Sequence, residues 1–203
     1  MAWINTLTGA EAEGQLLELY DRIIGPGGHG QVDNILEAHS LRPHTLTGHM
    51  ALYKAVLHHA GNVVERWFLE TLGIHVSRLN SCDYCVTHHT AGLRRLLEDD
   101  LRADAILRSL KSGDWHTQFD ARQRAALAYA KTLTTRPSVL DRLEIEDLRA
   151  AGWDDGEILE INQVVAYFNY ANRTVLGLGV TTDGERLGLS PGDRGDPDNW
   201  SHG

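Results

Sequence analysis

The chain has 203 residues, which is enough for one globular domain with a sizeable core. Its formal net charge is -9 and it has no basic stripe, which argues against a nucleic-acid partner. No apolar run approaches the roughly 18–20 residues of a membrane span, and the N-terminus lacks the basic and apolar regions of a signal peptide. We therefore expect a cytoplasmic protein with no membrane partner.

Helical patterns dominate the chain up to about residue 178. The spacing of apolar residues predicts helices over residues 9–24, 34–39, 46–60, 63–79, 82–98, 101–110, 121–134 and 144–150, and a long last helix that ends near residue 178. Strand-type alternation is scarce. The sequence therefore predicts an all-α protein, a single-domain array of about eight helices.

Several polar residues lie where helices are predicted to begin. Asn62 is a candidate cap for the helix over 63–79, and Asn80 or Ser81 for the helix over 82–98. Asp120 with Gln123, and Asp154 with Glu157, have the spacing of capping boxes. The sequence Gly25-Pro26-Gly27-Gly28 ends the first helix, and the Gly-, Pro- and Asp-rich tail after residue 183 is expected to be irregular.

The two cysteines of the chain form a C-x-x-C motif, Cys82 and Cys85, followed by His89. On a helix these positions share one face. The helix begins at or just before Cys82, and its positive end lowers thiol pKa values. His89, when neutral, can accept a thiol proton. In a reducing compartment such a pair is redox-active or binds a metal.

Glu70 is expected to face His89. If the helices over 63–79 and 82–98 form an antiparallel hairpin with its turn near Asn80, Glu70 lies level with His89. A carboxylate in so apolar a stretch is costly unless it is paired. Pairing with His89 would orient the imidazole and raise its basicity.

The residues of this pattern extend into their flanks. They are Glu70, Ser77-Arg78-Leu79-Asn80-Ser81-Cys82-Asp83-Tyr84-Cys85-Val86-Thr87-His88-His89, Met1-Ala2-Trp3-Ile4, His39-Ser40-Leu41-Arg42-Pro43 and Ala166-Tyr167-Phe168-Asn169-Tyr170-Ala171-Asn172-Arg173. Together they resemble the alkylhydroperoxidase D-like, carboxymuconolactone decarboxylase superfamily, and within it the peroxidase-related branch. The resemblance implies a helical domain over residues 1–182 and leaves 183–203 as an irregular tail.

The resemblance implies a thiol-dependent peroxidase of antioxidant type, which needs no metal and no cofactor. Peroxide would attack at Cys85, Cys82 would then form the disulfide, and His89 with Glu70 would relay protons. Helix-end reasoning alone favours Cys82 as the more acidic thiol. We follow the resemblance because His89 lies one turn beyond Cys85.

Four further residues are candidates for supporting roles at the site. These are Tyr84, His88, Ser77 and Asn169. The chain has Tyr84 where the best-studied members of the superfamily have a histidine, and Leu69 where an arginine usually precedes the glutamate.

The resemblance also implies partners. We expect a hydroperoxide substrate, an external dithiol reductant such as a lipoyl or thioredoxin-like protein, and a homo-oligomer (a dimer, trimer or hexamer). Two alternatives remain open. One is a lyase of the carboxymuconolactone decarboxylase type, which the cysteine pair disfavours. The other is a non-enzymatic redox or zinc-binding module, in which Cys82, Cys85 and His88 or His89 are the ligands.

Overall fold

A computed structural model describes residues 2–26, 30–192 and 195–202. Within these ranges the chain is helical and has no β-strand, so the predicted all-α class is confirmed. The α-helices are α1 Gly14–Ile24, α2 Asn34–Glu37, α3 Pro43–Tyr53, α4 Arg66–Leu79, α5 Asp83–Leu97, α6 Asp100–Ser112, α7 Ala121–Thr135, α8 Arg142–Ala150 and α9 Asp155–Leu178. A π-helical turn, Lys54–His58, continues α3, and a 3-10 turn, Pro137–Val139, follows α7.

Both predicted capping boxes are present. The side chain of Asp120 accepts from the N–H of Gln123 at the start of α7, and Asp154 does the same with Glu157 at the start of α9. A third box, which the sequence analysis missed, begins α8: its cap is Asp141. Reciprocal bonds of this kind satisfy two backbone donors that a helix start otherwise leaves unpaired.

The predicted cap at Asn62 is wrong. Asn62 donates instead to the carbonyl oxygens of Ala55 and Val56, and α4 begins after Glu65. The first helix also begins later than predicted, at Gly14, because residues before it form turns.

The predicted cap at Asn80 or Ser81 is wrong for a different reason: these residues end α4. The N–H groups of Ser81 and Cys82 donate to Arg78 O and Ser77 O, and Ser81 has a φ of 56°. This is a Schellman motif, which normally favours glycine at the left-handed position. It turns the chain so that Cys82 occupies the N-cap position of α5.

The hairpin of α4 and α5 lies at the centre of the fold. Helix α4 makes its most extensive contacts with α5 and then with α9 and α7. Every residue from Phe68 to Ser77 is buried, so α4 is enclosed by its neighbours on nearly every face. The hairpin is therefore held in place from several sides.

The tail after α9 folds back over this hairpin. Leu189, Ser190, Trp200 and His202 are buried. The predicted break at Gly27-Gly28 and residues 1, 193–194 and 203 lie outside the described residues. No helix within the described ranges is both long enough and apolar enough to cross a membrane.

Candidate active site

The two cysteines are free thiols, and both are buried at the start of α5. Cys82 occupies the cap position, and Cys85 lies in the first turn of the helix. The turn that precedes them is connected to α9, because Asn80 donates to the side-chain oxygens of Asn169 and Asn172 at 3.1 and 2.9 Å. The local geometry of the dithiol thus depends on α4, α5 and α9.

The two thiols differ in acidity. The pKa of Cys82 is lowered, chiefly because the Cys85 thiol donates a hydrogen bond to its sulfur; the Cys85 N–H and Asn172 also contribute. The pKa of Cys85 is raised well above 9.0, because its proton is held in that hydrogen bond, because it is buried and because a Cys82 thiolate repels a second charge. Cys82 is therefore the first of the pair to ionise.

Glu70 and His89 form the pair that the hairpin register predicts. His89 Nδ1 lies 2.6 Å from Glu70 Oε2, and the Glu70 side chain is 5% exposed. When this carboxylate accepts from Nδ1, Nε2 of the neutral ring is the nitrogen that can take a proton. The ring packs edge-on against Phe168 at a centroid distance of 4.5 Å, which fixes its plane.

A cavity of about 40 Å³, which we call the dithiol cavity, adjoins this pair. Cys85, His89 and Glu70 line it, whereas Cys82 is not among the lining residues that the structure describes. Its volume gives room for roughly three water molecules. A small reactant in the cavity therefore meets Cys85 first.

Tyr84 and His88 form a second cluster on α5. Their rings stack at 4.6 Å, and both bind one carboxylate: Glu185 lies 2.9 Å from His88 Nε2 and accepts from Tyr84 Oη at 3.1 Å. Tyr84 Oη also accepts from the N–H of Ile35 at 3.1 Å. The Tyr84 hydroxyl is therefore hydrogen-bonded both to α2, through Ile35, and to the tail, through Glu185.

Ser77 and Asn169 have supporting contacts. Ser77 Oγ accepts from Asn172 at 3.0 Å, and Asn169 contacts Asn80 but does not line the dithiol cavity. Asn172, which is fully buried beside the dithiol, was not among the predicted site residues. Its position three residues after Asn169 on α9 is the signal that could have identified it.

The tail also contributes to the site, which the sequence did not indicate. Residues 185–190, which we call the covering segment, line the cavity through Gly188, Leu189 and Ser190, and His202 lines it as well. Arg95 donates to Gly188 O and to Ser190 Oγ, which ties the segment to α5. Composition predicts an irregular tail but carries no signal that such a tail packs over the site.

Within the described residues, no three histidine, cysteine or carboxylate side chains are arranged to share one metal ion. Cys82, Cys85 and the two neighbouring histidines thus do not converge on a common point. The zinc alternative has no ligand set here.

No protein-family model and no curated protein matches the sequence. Solved structures do. An uncharacterized peroxidase-related protein from Silicibacter sp. TM1040 is 26% identical, with a TM-score of 0.67 over 77% of this chain and 79% of that one. A second, described as an alkylhydroperoxidase AhpD core, is from Ralstonia eutropha JMP134; it is 24% identical, with a TM-score of 0.73 over 90% and 93% of the two chains.

A third similar structure is that of the debrominase Bmp8, which is 19% identical with a TM-score of 0.69 over 88% of this chain and 91% of that one. At this identity the likeness concerns the fold. The structural neighbours are AhpD-like, peroxidase-related proteins, and the resemblance that the Glu, C-x-x-C and His motif indicates is confirmed: the chain has the AhpD-like fold.

Proposed function

We propose that this protein is a thiol-dependent peroxidase that uses Cys85 and Cys82 in a dithiol–disulfide cycle. The observation that carries the proposal is the dithiol cavity, where the Cys85 thiol and the His89–Glu70 pair line the same small space. A nucleophile, a base and a group that orients the base are the three parts that such chemistry needs.

Access and acidity assign different roles to the two sulfurs. Acidity alone favours Cys82 as the nucleophile, but Cys82 is fully buried and, unlike Cys85, does not line the cavity. A thiolate reacts only with what can reach it. Cys85 therefore attacks the peroxide, and Cys82, already the more acidic thiol, is ready for the second step.

In the first step, Cys85 loses its proton to His89 Nε2, and its sulfur attacks the outer oxygen of ROOH. The S–O bond forms as the O–O bond breaks, and the alkoxide leaves with the proton from His89 as ROH. In the second step, the Cys82 thiolate attacks the sulfenic acid at Cys85. The S–S bond forms, and hydroxide leaves as water after taking a proton from solvent, which replaces the one that Cys82 released when it ionised. Two thiols have then been oxidised by two electrons and one peroxide reduced.

An external dithiol must return the disulfide to two thiols. The disulfide would lie under the covering segment, in a cavity of about 40 Å³. Once the covering segment moves aside, a thin lipoyl arm reaches this disulfide through a narrower opening than the surface of a thioredoxin-like protein requires. We propose a lipoyl-type dithiol as the reductant and a homo-oligomer as the working form.

A second candidate is removal of a halogen from a small aromatic ring, in which C–Br becomes C–H, the dithiol becomes a disulfide and HBr is released. The likeness to Bmp8 and the Tyr53, Tyr84 and Tyr167 rings around the cavity favour it. Its difficulty is size, because the cavity is far below the roughly 300–1,000 Å³ of most sites for larger organic ligands. We therefore rank it second.

The test is stopped-flow oxidation of the reduced protein by hydrogen peroxide and an organic hydroperoxide, with release of bromide from a bromopyrrole measured in parallel. We expect rapid oxidation in the wild type, loss of disulfide formation in Cys82→Ser and Cys85→Ser, and rates lower by roughly 10²–10⁴-fold in His89→Ala and by roughly 10–100-fold in Glu70→Gln. Unchanged oxidation in Cys85→Ser would contradict the proposal. Bromide release without peroxide turnover would favour the second candidate, and turnover of a lactone by Cys85→Ser would favour a lyase.

A further inference from the structure

The dithiol cavity has a second group of polar side chains that the peroxidase mechanism does not use. Asp33, His49 and His202 line the same cavity as Cys85, and we call them the polar end. Their exposed fractions are only 6%, 3% and 5%. They come from three separate parts of the chain, so the fold brings them together.

Each member of the polar end has an atom without a protein partner. Asp33 Oδ1, His49 Nδ1 and His202 Nε2 are all buried and make no hydrogen bond within the described residues. The opposite atoms are held: His202 Nδ1 lies 3.5 Å from Asp33 Oδ2, and His49 Nε2 lies 3.4 Å from Tyr167 Oη. Both rings are thus fixed, and the second ring nitrogen of each has no partner in the described part of the protein. Buried polar atoms of this kind need partners, and three around one cavity point to a polar ligand.

We propose that the polar end selects the peroxide, so that the cavity takes hydrogen peroxide and the smallest hydroxylated hydroperoxides in preference to alkyl hydroperoxides. This proposal rests on the proposed function. Cys85 and the polar end line the same cavity of only about 40 Å³, so we expect one small ligand to contact both. The ligand class therefore has a hydrogen-bonding group at both ends.

Hydrogen peroxide has that chemistry, because each of its oxygens both donates and accepts a hydrogen bond. One oxygen can face Cys85 while the other donates to the Asp33 carboxylate or pairs with an imidazole nitrogen. An alkyl hydroperoxide presents carbon to the polar end and leaves these atoms unpaired. Sites built to hydrogen-bond a ligand discriminate strongly against analogues that lack the polar group.

The experiment compares rate constants of thiol oxidation by hydrogen peroxide and by tert-butyl hydroperoxide in the wild type, His49→Phe and His202→Phe. Phenylalanine puts a slightly larger aromatic ring in place of the imidazole and removes its polar atoms. The matched control is His75→Phe, because His75 is equally buried and has an unpartnered Nε2, but packs against Trp115 away from the cavity. We expect a preference for hydrogen peroxide of at least 10-fold in the wild type and in the control, and a loss of at least 10-fold in that preference in both cavity variants.

A second readout separates this proposal from the proposed function. Alkylation of Cys85 by iodoacetamide and by 1-iodopropane, located by peptide mass spectrometry, probes the polar end without any peroxide. The iodoacetamide-to-iodopropane ratio should fall at least tenfold in His49→Phe and His202→Phe but not in His75→Phe. If peroxides fail to oxidise the wild type while this ratio still falls, the peroxidase assignment and the peroxide selectivity are overturned, and the polar end stands as a ligand site. If the ratio and the peroxide preference are both unchanged, the polar end is overturned.

Discussion

At the scale of single residues, the division of roles between the cysteines makes a prediction about acidity. Cys82 should ionise below the usual cysteine pKa and Cys85 well above it, because one proton is shared between the sulfurs. Thiolate absorbance near 240 nm should therefore rise in two separate steps as the pH increases. Cys82→Ser should abolish the lower step.

The same variant should lower the pKa of Cys85. Without a thiolate at position 82 there is no like charge to repel it, and a hydroxyl there can donate to the Cys85 thiolate. A single titration step near that of wild-type Cys85 in Cys82→Ser would mean that the two sulfurs do not interact. Absorbance titration of the wild type and of Cys82→Ser decides this.

Sequence reasoning performs best at this scale. The pairing of Glu70 with His89 follows from two helical patterns and one turn, because both residues lie in a short local hairpin. Glu185 could not be found in this way, since it lies about a hundred positions from the residues it binds and sits in a segment without periodicity. Local sequence patterns predict contacts between residues that are close in the chain. The long-range contacts of Glu185 depend on how the tail packs, which no local pattern encodes.

At the scale of secondary-structure elements, close packing of α4 on α9 places the imidazole. A Cβ on Gly73 would lie 2.2 Å from the ring of Phe168, and that ring contacts His89. Gly73→Ala must therefore displace Phe168. We expect a loss of about 1–3 kcal/mol in the free energy of unfolding and slower thiol oxidation.

The matched control for this prediction is Gly177→Ala. Gly177 is exposed on α9, and a Cβ there meets nothing within 4 Å. Helix propensity should then stabilise the protein by about 0.5–1 kcal/mol. Urea unfolding of Gly73→Ala and Gly177→Ala measures the free energy of unfolding of each. Equal changes in the two variants would contradict the claim that α4 packs tightly against Phe168.

The covering segment is a second element that can be tested. The Glu185 carboxylate has no exposed surface and binds the N–H of Asn34 at 2.6 Å as well as Tyr84 and His88. Glu185→Gln turns one acceptor oxygen into a donor and so breaks part of this set. Faster amide exchange over residues 185–190 and faster alkylation of Cys85 should follow.

The exposed Glu18 on α1 supplies the control for this substitution. Glu18→Gln makes the same chemical change on a solvated helix surface, where it should leave both rates unaltered. Hydrogen-exchange and peptide mass spectrometry give the two rates. If Glu185→Gln matches Glu18→Gln, the segment is not held by this carboxylate.

At the scale of the whole molecule, buried histidines link stability to pH. Burial lowers the pKa of His49 to about 3 and that of His75 to about 4, from 6.5 in the unfolded chain. Between pH 6.5 and 4 only the unfolded chain binds these protons, so the free energy of unfolding decreases as the pH falls through this window.

The loss at pH 5 should be about 2 kcal/mol for each such histidine. His75→Phe removes one of them, so the difference in stability between pH 7.5 and pH 5 should shrink by about 2 kcal/mol. Urea unfolding at the two pH values measures it. If the free energy of unfolding of His75→Phe changes between pH 7.5 and pH 5 as much as that of the wild type, His75 is not buried in its neutral form.

The helix boundaries illustrate what a sequence can predict about the whole fold. Capping boxes at Asp120 and Asp154 are self-contained, and both predictions are confirmed. Asn80 and Ser81 are equally polar but end a helix instead of beginning one, because a Schellman turn uses backbone groups that leave little trace in residue type. The polar end of the cavity needs three distant segments, and no single pattern contains it.

The central claim is that the Cys85 sulfur attacks the peroxide, and chemical trapping of the sulfenic acid at Cys85 tests it most directly. Cys82→Ser and Cys85→Ser, each treated with one equivalent of hydrogen peroxide and a dimedone probe, are digested and mapped by mass spectrometry. We predict rapid labelling of Cys85 in Cys82→Ser and at least tenfold slower labelling of Cys82 in Cys85→Ser, because only the Cys85 sulfur lines the cavity. Equal labelling of both, or labelling of Cys82 alone, would contradict the account.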